Sequence, residues 1–126
     1  MNGSQAGYAI SAGIPNSGSP PPSRNTSDTL KAATDPVQTV CDLYAERCGI
    51  ERNDDWFLLK LQEELGELAQ AHLRLSGRGR GAADEGARAA EAADVLCMLL
   101  LYCRRHGVDL DAAVQAKWLA YLEPAD

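Results

Sequence analysis

Beyond residue 35, apolar residues recur at spacings of three and four, which predicts helices rather than strands. Val37, Val40, Cys41, Tyr44 and Cys48 form the first set. Asp35-Pro36 supplies an N-cap and the residue favoured at the first helical position, and Gly49 supplies a stop. A second helix, capped by Asp54 or Asp55, runs to Leu75 with Leu58, Leu61, Leu65, Leu68, His72 and Leu75 as its stripe. His72 on that stripe is expected in the core. After Ser76-Gly77 comes the loop Gly77-Arg78-Gly79-Arg80-Gly81. A third helix is expected from Asp84 to His106, with Arg104, Arg105 and His106 at its negative end and Gly107 as stop. Asp109 caps a fourth, carrying Leu110, Ala113, Val114, Lys117, Trp118 and Tyr121 and ending before Pro124. Four helices with short connections predict an all-α, antiparallel four-helix bundle over residues 35–123.

Residues 1–34 lack this periodicity. Gly, Ser, Asn and Pro dominate them, including Pro20-Pro21-Pro22. Too few large apolar groups are present to offset the entropy of ordering, so a disordered, dispensable tail is expected. The third helix poses the opposite problem. From Val95 to Cys103 it is apolar on every side, and no face is left for water. A bundle of this size cannot surround one helix completely, so the surplus face predicts a homo-oligomer, most simply a symmetric dimer.

Charge narrows the function. Lys plus Arg total 12 against 18 Asp plus Glu, for a net charge of −6. That balance disfavours a nucleic acid polymer as partner. No apolar run reaches the roughly 18 residues of a membrane span, and the N-terminus has neither the basic start nor the apolar segment of a signal peptide. Cys41, Cys48, Cys97 and Cys103 include no C-x-x-C pair. They read as small buried apolar residues of a protein in the reducing cytoplasm.

The carboxylates carry the candidate chemistry. Glu64 and Glu67 lie three apart on the second helix, and Glu91 and Asp94 three apart on the third. Such a spacing puts both acids of a pair on one helix face. On a helical wheel Glu64 falls at the edge of the leucine stripe, and Asp94 immediately precedes the apolar run. Between Glu67 and Glu91 lie 23 residues, enough for the helices to turn back and bring the pairs together. Four such carboxylates repel one another unless a cation intervenes, and hard divalent ions, Mg²⁺ or Mn²⁺, suit all-oxygen ligands. On helix surfaces, isolated acid pairs of this spacing are ordinary; two on consecutive helices are not.

Lys60-Leu61-Gln62-Glu63-Glu64-Leu65-Gly66-Glu67-Leu68-Ala69, followed by Glu91-Ala92-Ala93-Asp94-Val95-Leu96, resembles the MazG-like all-α nucleoside triphosphate pyrophosphohydrolases. Gly107 to Lys117 resembles their fourth-helix region. The resemblance spans about residues 37–121. It implies hydrolysis at the α-phosphate to a monophosphate and pyrophosphate, with Glu64, Glu67, Glu91 and Asp94 as catalytic metal ligands. Glu63 matches a frequent extra acid, and Lys60 and Lys117 match positions near the phosphates. Arg78, Arg80 and Arg88 are further candidates for phosphate contact, although solubility of a mobile loop explains them more simply, and Trp56 and Trp118 for stacking on a base, although core or interface packing suits both tryptophans better. After Lys117 the chain departs from the family, continuing Trp118-Leu119-Ala120-Tyr121-Leu122. Two alternatives stay open: a non-catalytic helical oligomer that binds nucleotide or metal, and a phosphoribosyl-ATP pyrophosphatase.

Overall fold

The computed structural model describes residues 29–122. They form α1 (Thr29–Cys48), α2 (Trp56–Leu75), α3 (Glu85–Arg105), α4 (Leu110–Lys117) and a short 3₁₀ turn (Leu119–Leu122), with no strand among them. The all-α expectation holds. The helices are not four equal staves. α3 is central: α2 packs along it as the other arm of a hairpin, α1 packs against it, and α4 packs on α1. Cys41 of α1, Phe57 of α2 and Leu101 of α3 meet in the core, with Val37, Trp56, Met98 and Tyr102 around them. None of the helices is long and apolar enough to cross a membrane.

Local chemistry explains most boundaries. The Asp84 carboxylate accepts from Gly86 N–H at 2.9 Å, and Asp109 from Ala112 N–H at 3.0 Å, so α3 and α4 start where the sequence signals them. At α2, Asp55 holds the N-cap position without a side-chain cap bond. Gly107 ends α3 in the left-handed region at φ 66°. In the α2–α3 loop, a Cβ on Gly79 would stand 2.8 Å from the Arg74 backbone nitrogen, so only glycine fits that turn.

Several expectations need correction. α1 begins at Thr29, not Asp35, and Pro36 lies inside it. The proline ring removes one helical hydrogen bond, but distant groups hold the preceding turn. Asp111 of α4 accepts from the N–H groups of Leu30 (3.3 Å) and Lys31 (3.2 Å). Arg104 of α3 donates to the Lys31 carbonyl (3.2 Å) and pairs with Asp35. Thr34 is buried, its hydroxyl donating to the Leu30 carbonyl. Residues 29–34 are therefore part of the fold and not of a dispensable tail; the rest of that expectation lies outside the described residues. Replacing Asp111 with Ala strips two amides of their acceptor. Urea denaturation should show a loss of about 1–2 kcal/mol, the usual scale for a lost cap.

On α2 the buried line is Phe57, Glu64 and Ala71, two turns apart each. The line of Leu58, Leu65 and His72, about 100° further round, faces solvent. His72 is thus exposed, not a core residue. Counting leucines misplaced the stripe because Phe57 and Ala71 also face inward. On α3, by contrast, the all-apolar run is mostly covered within one chain. Leu100, Leu101 and Cys103 are buried, Val95, Met98 and Tyr102 half-buried, and only Leu96 is largely exposed. A central helix has neighbours on two sides. The fourth helix stops at Lys117, and Trp118, Tyr121 and Leu122 are exposed. All four cysteines are free, but Cys48 is exposed and Cys97 half-buried; only Cys41 and Cys103 are buried.

Candidate metal centre

The α2–α3 hairpin places Glu64 in the middle of α2, Glu67 one turn on, and Glu91 opposite them on α3. One carboxylate oxygen from each lies within 4.8 Å of the other two. Glu64 sits in the centre of the buried face, 8% exposed. Its Oε2 and the Oε2 of Glu91 are buried and have no hydrogen-bond partner among the described residues. Orphaned carboxylate oxygens are costly in a folded protein unless something satisfies them. Lys60, one turn before Glu64, is the cation at the cluster. Its Nζ lies 3.0 Å from Glu63 Oε2 and 3.8 Å from Glu64 Oε1. Glu63 itself is largely exposed.

Burial, together with hydrogen bonding to Glu67 and the charges of Glu67 and Asp94, pushes Glu64 up to about 7. Burial likewise raises Glu91, with Glu67 and Asp94 adding to it. Both groups resist ionisation because burial and neighbouring carboxylates outweigh the one nearby cation, Lys60. The donor set consists only of hard oxygens, with two unsatisfied atoms at its heart. It fits a divalent cation such as Mg²⁺ or Mn²⁺.

This has a pH consequence. A folded Glu64 that titrates near 7 holds a proton that the unfolded chain releases near 4.5. The stability linked to that proton is full below the lower value and is lost as pH rises through 7. In chelator, the melting temperature should therefore rise between pH 8 and pH 5.5. Saturating Mn²⁺ should flatten that slope by replacing the proton. A slope unchanged by Mn²⁺ would show that no cation enters the cluster.

Asp94 is exposed, and its oxygens are not in the triad, although its charge acts on both Glu64 and Glu91. Three of the four expected acids thus have oxygens within 4.8 Å of one another, and Asp94, exposed like Glu67, lies near enough for its charge to act on them. Lys60 is where the sequence puts it. The other proposed phosphate contacts are not brought to the acids. Lys117 is on α4, which packs on α1. Arg78 and Arg80 are in the hairpin loop, where Arg78 Nε donates to Ser76 and the Arg80 carbonyl accepts from Arg74. Leu75, where that loop begins, is already roughly 16 Å along α2 from Glu64 at the helical rise. Arg88, one turn before Glu91, is exposed and has no ion pair among the described residues. Trp56 stacks edge-on against Phe57 at 5.0 Å and packs on the core, so packing is its role. Trp118 is exposed and makes no core contact. Arg52 sits in the irregular loop between α1 and α2, where hydrophobic periodicity carries no signal. No family model, curated protein or solved structure matches the chain.

Proposed function

We propose that the protein is a divalent-cation-dependent pyrophosphohydrolase that cleaves a nucleoside triphosphate to its monophosphate and pyrophosphate. The observation that carries this reading is the acid triad of Glu64, Glu67 and Glu91, with one buried, unpartnered oxygen each on Glu64 and Glu91. Its motif spacing, Glu64/Glu67 and Glu91/Asp94, is that of MazG-like enzymes. A triphosphate and a cluster of carboxylates repel each other, so a site of this kind can take the substrate only through a shared cation. When bound, Mg²⁺ or Mn²⁺ neutralises phosphate charge and acidifies water. Glu64, Glu67 and Glu91 would hold the cation, with the charge of Asp94 acting beside them. Lys60 is positioned to offset phosphate charge, with Glu63 holding its ammonium.

A second reading has its own support. Lys117, Arg78 and Arg80 are away from the acids, which leaves Lys60 as the positive group in contact with them. A helical oligomer that binds metal or nucleotide without turnover would need no more. One experiment decides. The protein is incubated with nucleoside triphosphates and phosphoribosyl-ATP in Mg²⁺ or Mn²⁺, and monophosphate and pyrophosphate are measured. Turnover that chelator abolishes supports the enzyme. Cation binding without turnover on any substrate supports the second reading.

The oligomer belongs to the same proposal, but its surface moves. Val40 and Tyr44 on α1 and Leu58 and Leu65 on α2 are each about half exposed or more. These apolar lines, not the mostly covered α3, are where a second copy packs. Free thiols fit a cytoplasmic setting.

A further inference from the structure

A polar cavity lies at the end of α3 away from the acid triad, roughly 20 Å along the helix from Glu91. Its volume is about 510 Å³, and its walls include Arg52, Arg104, Arg105, Asp42, Ile50 and Phe57. Three arginines thus line one hollow in a chain of net charge −6, and one carboxylate, Asp42, lines it with them. Arg104 and Arg105 alone would be explained by the negative end of α3. Arg52 would not: the α1–α2 loop delivers it from a separate part of the chain.

The ion pairs that hold these groups leave most of their capacity unused. Arg52 donates through one nitrogen to Asp42 (2.7 Å) and Cys41 (3.3 Å). Arg104 uses one nitrogen for Asp35 and the Lys31 carbonyl. Arg105 binds a single oxygen of Asp54. A guanidinium has five N–H donors, so more than half of the combined supply has no protein acceptor among the described residues. Asp35 and Asp54 are mostly exposed, and such pairs contribute little. Guanidinium forks match phosphate oxygens two at a time. The cavity is too large for one phosphate group and has an apolar wall at Ile50 and Phe57.

We infer that this cavity is an anion site for a diphosphate group, free or carried by a nucleotide, separate from the acid triad and independent of its cation. Calorimetric titration of the full chain with sodium pyrophosphate, in EDTA, tests it. Saturable binding that weakens with salt is expected. Arg52→Gln and Arg105→Gln should each weaken it by about tenfold, the scale of a lost charged hydrogen bond. Asp42→Asn, which removes the one lining carboxylate, should tighten it. Glu64→Gln should leave it unchanged. Melting curves confirm that each variant folds; should Arg52→Gln not fold, the mostly surface-paired Arg105→Gln and Asp42→Asn carry the test. A nucleoside diphosphate that binds more tightly than pyrophosphate places the nucleotide at the apolar wall; equal binding assigns recognition to the phosphates. No binding at millimolar pyrophosphate, or binding lost in Glu64→Gln but retained in Arg105→Gln, would overturn the inference.

Discussion

Glu64→Gln is expected to lower cation-dependent turnover at least about 100-fold, the scale on which an oriented charged group acts in a closed site. Gln keeps the volume and the packing of the buried face. It removes an anionic ligand and, with it, one of the two orphaned oxygens of the triad. Asp94→Asn should cost less, about tenfold, because Asp94 is exposed and acts on the triad through its charge alone. Stability should move the other way. At pH 8 without cation, the ionised Glu64 is held against its surroundings, a penalty on the order of 3 kcal/mol. Gln relieves it, so the variant should melt above the wild type at pH 8, and the gap should close only as pH falls below the unfolded value of 4.5. Near-normal turnover in Glu64→Gln, with no gain in stability, would remove Glu64 from the site.

How far the sequence reaches is visible in particular residues. The starts of α3 and α4 were legible because Asp84 and Asp109 bond to amides two and three residues away. The start of α1 was not, because Asp111 and Arg104, some 70–80 residues distant, hold its first turn. Asp35-Pro36 is a sound local signal that tertiary contacts override. The acid pairs were legible from helical spacing, and the hairpin brings three of their members together. Which acid is buried was not. A wheel drawn through leucines puts Glu64 at the edge, whereas α3 packs over Phe57, Glu64 and Ala71. The cations fared worse. Lys60 shares a helix with its partners and so could be placed, whereas Lys117, Arg78 and Arg80 depend on how α4 and the loop pack.

The position of Leu100 separates folding from assembly. From sequence, an Asp there should leave the protein unfolded or monomeric, since one face of α3 looked free for a partner. In the fold, Leu100 is 4% exposed and, with the buried Thr34 and Cys103, lines the cavity joining α1, α3 and α4. Leu100→Asp loses roughly 1.5–3 kcal/mol of burial and adds an unpaired charge that costs several more. Together these approach the whole stability of a small domain, about 5–15 kcal/mol. The variant should therefore lose its helical circular dichroism at room temperature. Val40 is the contrasting case. It is 66% exposed on α1 and touches little within the chain, so Val40→Glu should keep the helices and the melting temperature at low concentration. If the α1 and α2 apolar lines pair across copies, that same charge should shift sedimentation of the full chain to the monomer. A folded Leu100→Asp protein would contradict the packing of α3. A Val40→Glu protein that sediments as the wild-type oligomer would place the interface elsewhere.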